Sequence, residues 1–125
     1  MVSTISQWTL DVRDVSMMAA FWSEALGYHS EHLSGGEVKL LPPHDVPESA
    51  LTVLLQPVAG PKSGKNRNHP DLTAPDGDVD IEVERLIALG AKRVDVGQTG
   101  DEPFVVLADP EGNEFCLLRS PSRSV

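Results

Sequence analysis

The chain carries a single cysteine, Cys116, so no disulfide can form within it. Positive charge is also scarce: ten Lys and Arg stand against nineteen Asp and Glu, a formal charge of −9. A field of that sign repels phosphate backbones, which argues against a nucleic-acid partner. The few basic residues are scattered apart from Lys62, Lys65 and Arg67. No apolar run approaches the roughly 20 residues that cross a bilayer, so no membrane partner is expected. The opening residues, MVSTISQWTL, lack the basic, apolar and small-residue order of a signal peptide, and the expected location is the cytoplasm. A chain of 125 residues suits one domain that buries about two thirds of its unfolded surface, enough for a core without covalent staples.

What the sequence does contain is a repeat. Thr4 to Val12 alternates as a strand, Asp14 stands where a helix N-cap belongs, and Met17, Met18, Phe21, Trp22, Ala25 and Leu26 recur at helical spacing. Gly27 supplies a left-handed C-terminal cap. Tyr28 to Leu33 and Glu37 to Leu41 read as a hairpin around Ser34-Gly35-Gly36. Pro42, Pro43 and Pro47 force an irregular connection to a further strand, Leu51 to Gln56.

The same order then returns. A strand over Asn68 to Thr73 precedes a helix through Val79, Val83, Leu86 and Ile87, whose acidic first turn (Asp78, Asp80, Glu82) complements the helix dipole. Lys92 to Val96, Pro103 to Leu107 and Asn113 to Leu118 complete three more strands, with a turn at Asp109-Pro110-Glu111-Gly112. Ala25-Leu26-Gly27 recurs as Ala88-Leu89-Gly90, 63 positions on, and Gln7 matches His69 at an offset of 62. The expected fold is therefore α+β: one domain over residues 1–125 made of two tandem βαβββ modules, about 1–60 and 61–125, forming a cupped mixed sheet with the helices outside.

Alternation sends Gln7, Thr9 and Asp11 to one face of the first strand, and His69, Asp71 and Thr73 to one face of its counterpart. These polar faces are the expected cavity lining, with Thr9, Asp11 and Asp71 as ligand-facing residues. Pro70 cannot donate to a ladder, which fits an edge strand.

The runs Val12-Arg13-Asp14, Phe21-Trp22, Ala25-Leu26-Gly27-Tyr28, Lys65 to Leu72 and Ala108-Asp109-Pro110-Glu111-Gly112-Asn113-Glu114-Phe115-Cys116 together resemble the glyoxalase-like branch of the vicinal oxygen chelate superfamily. That group includes glyoxalase I, extradiol dioxygenases, fosfomycin-modifying enzymes and bleomycin-binding proteins. The resemblance implies paired modules around a cupped sheet, a homodimer, and, in the metal-dependent members, a divalent ion held by one residue from each of four strands. Mapped by that resemblance, the four positions are Gln7, Gln56, His69 and Cys116. One imidazole, two neutral amides and a thiol make a weak set, so weak or absent zinc and nickel binding is expected. The set also lacks the two histidines and one carboxylate of dioxygenase and fosfomycin-type sites, which argues against those two activities.

Each candidate has a structural alternative. His69 is a ligand or acid/base group, or a histidine that bonds Asp71 at a cavity wall. Cys116, between Phe115 and Leu117, reads as a small buried hydrophobe, and Glu114 is either a catalytic carboxylate or a solvated strand end. Asp11 and Asp71 either form an acidic floor or pair with Arg67, Arg119 or solvent. His29, His32 and His44 read as surface residues, and Phe21, Trp22 and Tyr28 as core. Two functions stand. One is a lyase or isomerase in which His69, with Gln7 and Gln56, holds a metal or polarises a carbonyl and Glu114 is the base. The other is a metal-free protein that sequesters a small organic molecule, as bleomycin-resistance relatives do.

Overall fold

The structure, a computed structural model, describes residues 1–46 and 50–119, so Pro47 of the expected irregular connection lies outside the described residues. It divides into two compact units, Met1–Pro61 and Lys62–Val125.

In the first unit the strands are β1 (Gln7–Val12), β2 (His29–His32), β3 (Val38–Leu41) and β4 (Thr52–Pro57), with helix α1 (Val15–Leu26) between β1 and β2. The sheet order is β1-β4-β3-β2, with β1 parallel to β4 and the other neighbours antiparallel. Asp14 caps α1 as its carboxylate accepts from the Met17 N–H at 3.0 Å, and Gly27 closes the helix at φ 70°, where a Cβ would be strained. The buried side of α1 is Met18, Ala19, Phe21 and Trp22, packed with Val12, Val38, Leu40, Val53 and Leu55. Trp8 meets Trp22 edge-on, ring centroids 5.2 Å apart, so Trp8, Leu10 and Val12 form the helix-facing side of β1. Met17, expected in the stripe, is 40% exposed, because Met18 takes the inward position beside it. Tyr28 is not in β2: its N–H bonds the Ser23 carbonyl as part of the helix cap, and its hydroxyl donates to the Leu51 carbonyl at 2.9 Å.

The second unit repeats this plan with β5 (Asp71–Thr73), α2 (Val79–Leu89), β6 (Lys92–Arg93), β7 (Phe104–Ala108) and β8 (Glu114–Leu118), preceded at α2 by a short 3-10 turn, Pro75–Gly77. Its order, β5-β8-β7-β6, again sets the first strand parallel to the last. Asp78 caps α2 through the Ile81 N–H, and Glu82 pairs with Arg85 through two bonds of 2.7 and 2.8 Å. Val83, Leu86, Leu107, Phe115 and Leu117 are the centre of this unit's core.

The turn between β7 and β8 explains its sequence. The Asp109 carboxylate, 1% exposed, accepts from the Glu111 and Asn113 backbone N–H groups and from the Asn113 amide, while Gly112 adopts φ 89°. A buried carboxylate survives there because backbone and amide donors of its own turn satisfy it.

Four strands are clearly shorter than the alternation suggests: β1 starts at Gln7 rather than Thr4, and β2 keeps only His29–His32, while β5 and β6 shorten for reasons visible in their bonds. β5 starts at Asp71 rather than Asn68, because Pro70 has no N–H to give the ladder; its carbonyl still accepts from the Cys116 N–H at 3.1 Å, so the chain already runs along β8 before the strand begins. β6 stops at Arg93 because Gln98 turns the chain: its side chain accepts from the Val96 N–H and donates to the Val94 carbonyl.

Candidate functional site

On β8 the residues Phe115 and Leu117 point to the core, so Glu114, Cys116 and Leu118 take the opposite side of the sheet. On β7 the same side presents Phe104 and Val106, and on β5 it presents Asp71. These side chains line a cavity of about 270 Å³. Phe104, Val106, Leu118 and Val96 make its apolar part; Lys65, His69, Asp71, Glu114 and Cys116 make its polar part.

The polar part has an internal order. His69 lies two residues ahead of β5, in a loop and not in a strand, yet its Nδ1 is 3.2 Å from Asp71 Oδ1. A neutral imidazole with its proton on Nδ1 would face that carboxylate and keep the lone pair of Nε2. Asp71 and Cys116 are register partners on adjacent parallel strands. One donor atom from each of His69, Asp71 and Cys116 lies within 4.8 Å of the others. Burial raises the Cys116 thiol above its ordinary pKa, and the negative Asp71 carboxylate beside it pushes it further in the same direction; Lys65 opposes the shift weakly. At neutral pH Cys116 is therefore a protonated thiol and not a nucleophile.

Glu114 is arranged differently. Burial raises its pKa, but bonds from its own backbone N–H and that of Asn66, together with the Lys62 ammonium 3.4 Å away, outweigh this and leave the carboxyl below its ordinary value. A carboxylate so stabilised is a poor proton acceptor. Its evident task is to hold the segment from Lys62 to Asn66 against β8, helped by the Asn66 amide, which donates to Asn113.

The residues expected at the site therefore fall into two groups. His69, Asp71, Glu114 and Cys116 share the cavity of the second unit, and the partner of Asp71 is His69 rather than Arg67 or Arg119. Gln7, Thr9, Asp11 and Gln56 lie in the first unit, all exposed. There the Gln7 amide donates to the Thr9 hydroxyl at 3.3 Å and accepts from Thr52 at 3.4 Å. Gln56 does not join Gln7: it is the register partner of Asp11, four residues along β1 and so roughly 13 Å away. The offset of 62 that relates Gln7 to His69 relates Leu54, not Gln56, to Cys116. Gln56 stood out in the sequence as the only strongly polar residue of its strand, which is a weaker guide than register.

Lys65, Val96, Phe104, Val106 and Leu118 were not foreseen as lining residues. Pro103 to Leu107 is too uniformly apolar for alternation to say which side faces the cavity. Lys65 did stand out, as one of three clustered basic residues, but only the fold puts it beside Cys116.

The model of the glyoxalase-like domain matches residues 7–118. The chain belongs to the glyoxalase-like domain family. No curated protein is significantly similar to this glyoxalase-like chain. Solved structures similar in fold include a mutant of the genomically encoded fosfomycin resistance protein FosX from Listeria monocytogenes, complexed with Mn(II) and 1S,2S-dihydroxypropylphosphonic acid (TM-score 0.73, 20% identity, 98% of this chain and 94% of that one). FosX from Mesorhizobium loti gives a TM-score of 0.71 at 18% identity over 98% and 95% of the two chains. A hypothetical protein from S. aureus gives 0.64 at 20% identity over 94% and 97%. These likenesses show the fold: the two four-stranded mixed sheets and two helices of this chain are the two-module glyoxalase-type arrangement. Among the described residues, no helix is long and apolar enough to cross a membrane.

Proposed function

We propose that this glyoxalase-like protein binds a small organic molecule in the cavity of its second unit. The observation that carries this reading is the pairing of an apolar wall, Phe104, Val106 and Leu118, with a convergent polar cluster, His69, Asp71 and Cys116. A volume of about 270 Å³ suits a small metabolite or the head of a larger compound. The apolar wall supplies affinity and the polar cluster orientation.

A second reading, catalysis as a lyase or isomerase, is favoured by the His69 and Asp71 pair. Asp71 orients the imidazole through Nδ1, which leaves Nε2 to accept a proton from a bound molecule. In this reading Asp71 takes the supporting role and Glu114, tied to Lys62 and Asn66, is not the base. The donor set of the cluster also fits a divalent ion, with His69, Asp71 and Cys116 as the residues that would hold it. When bound, such an ion polarises a carbonyl or similar oxygen. FosX solved with Mn(II) supports a divalent ion as a partner of this fold. The protein is proposed to act as a homodimer in the cytoplasm, and sedimentation velocity on the full chain tests the first part.

Calorimetric titration of bleomycin and of a panel of small hydroxy- and keto-acids, with and without divalent ions, tests the reading. Binding that His69→Ala removes while the fold is retained supports the cavity. Binding that His69→Ala leaves unchanged moves the ligand elsewhere and overturns it. Turnover of any panel member would favour catalysis over sequestration.

A further inference from the structure

We infer that the cavity of the second unit takes small monocarboxylic acids, with the Lys65 ammonium holding the acid group and Phe104, Val106 and Leu118 holding a compact apolar body. This rests on the proposed reading of that cavity as the ligand site.

Three features carry it. The first is an unmatched positive charge. Lys65 lines the cavity, yet among the described residues it joins no ion pair, and its ammonium has only the carbonyl of its neighbour Asn66 at 3.4 Å. In a chain of ten basic and nineteen acidic residues, a lysine beside a cavity with no carboxylate of its own stands out. The second is that both carboxylates of the lining are engaged elsewhere. Glu114 faces the Lys62 ammonium at 3.4 Å and accepts from the Asn66 N–H at 3.3 Å, and Asp71 faces the His69 ring at 3.2 Å. The third is where the charge of Lys65 is felt. It acts on Cys116, on the sheet, in the direction that favours the thiolate, so its field reaches into the cavity as well as out to solvent. The apolar wall beside it lowers the local polarity, which strengthens the attraction between an ammonium and an acid group relative to open water.

Charge and size then decide the class. One ammonium balances one negative charge, and Asp71 and Glu114 oppose a second, which favours a carboxylate over the near-dianion of a phosphate ester. An amine would gain from Asp71 or Glu114 only by displacing His69 or Lys62. A cavity of about 270 Å³ is smaller than the roughly 300–1,000 Å³ of sites for drug-sized ligands, so the apolar body is no larger than a single ring or a short branched chain. Lys65 lies in the segment that Glu114 and Asn113 fasten to the end of β8 through Asn66. Anchored one residue away, its backbone is held beside the cavity while its flexible four-carbon stem lets the ammonium follow the acid group.

The test is a calorimetric titration of the metal-stripped full chain with benzoate, benzyl alcohol, benzylamine and phenyl phosphate, probes that share one ring and differ in charge. Benzoate is expected to bind roughly tenfold more tightly than each of the others, about 1.4 kcal/mol. Added salt narrows that gap, as it does for any exposed pair of charges. Lys65→Met removes the advantage of benzoate over benzyl alcohol and leaves the affinity for the alcohol as it was, whereas Lys65→Arg keeps the advantage. Phe104→Ala, or Phe104→Leu where circular dichroism shows the first to be unfolded, weakens benzoate and benzyl alcohol alike and so ties both to the cavity. Benzoate that does not bind, any of the other probes bound as tightly as benzoate, or an advantage of benzoate that survives Lys65→Met would each overturn the inference. Benzyl alcohol bound in dependence on Phe104, with no preference for the acid, would leave the cavity reading standing while this one falls. Benzoate held by Lys65 but indifferent to Phe104 would overturn the cavity reading and the ligand class drawn from it.

Discussion

The two units are one backbone plan carrying two chemistries. An offset of 62 positions superposes their strand registers: Thr9 opposite Leu54 in the first unit becomes Asp71 opposite Cys116 in the second. By the same offset Gln7 corresponds to His69 and Thr52 to Glu114. Every one of these positions is neutral in the first unit. In the second, every one carries an ionisable side chain. Gln7, Thr9 and Thr52 satisfy one another through hydrogen bonds, whereas His69 and Cys116 lie beside the Asp71 carboxylate. The lesson is that the scaffold sets where polar groups meet, and substitution within the register decides whether the meeting is inert or chemical.

The largest expected effect tests whether the second core is as firmly built as its site requires. Phe115 is fully buried on β8, and Phe115→Ala should cost about 3–5 kcal/mol in urea denaturation. Its counterpart by offset, Val53, buries a smaller side chain, and Val53→Ala should cost less, about 1–3 kcal/mol. Equal costs would mean that the two units share their stability differently from what burial indicates.

Next comes acid. The Glu114 carboxyl has a lowered folded-state pKa, so its ionised form stabilises the protein above the ordinary carboxylate value of 4.5, and that contribution disappears as pH falls through the lower folded value. Glu114→Gln should therefore lower stability at neutral pH and flatten its fall below about pH 4.5. Thr52, at the matching place, does not titrate in this range, so Thr52→Val should shift stability without changing that slope. Stability measured against pH for both variants gives the comparison, and an unchanged slope in Glu114→Gln would remove Glu114 as a source of acid sensitivity.

The smallest stability effects belong to the pair that should differ most in function. His69 and Gln7 are both exposed, and replacing either by Ala should change stability by under about 0.5 kcal/mol. Only His69→Ala should abolish the ligand or ion response of the cavity. A melting temperature that falls steeply in His69→Ala, with binding retained at low temperature, would make it the structural partner of Asp71 and nothing more.

Much of this comparison is legible in the sequence, because it is written in local signals. Asp14 and Asp78 announce helix starts, Gly27 a helix end, and Asp109-Pro110-Glu111-Gly112-Asn113 a turn in which the Asp109 carboxylate bonds donors of the same five residues. What escaped depends on pairing across long separations. That Gln56 aligns with Asp11 rather than Gln7 is a matter of strand register, which composition does not encode. That Asp71 joins His69 and Cys116 follows from β5 lying beside β8, a neighbour known only once the sheet is assembled. The shortening of β5 was half visible: Pro70 fitted an edge strand, and its missing N–H also sets where the ladder begins.

The parallel pairing of β5 with β8 has a consequence for how the molecule forms. Asp71 and Cys116 are 45 residues apart in the chain, whereas β7 and β8 are joined by a tight turn and can pair early. Contacts that close long loops carry the largest entropic cost and tend to come late in folding. The cluster around Asp71 is thus expected to assemble in the last stages of the second unit's folding and to be among the first features lost on unfolding. An ion or ligand that bridges the two strands would lock that late contact and slow unfolding, so occupancy of the site would be readable as a change in the lifetime of the native state.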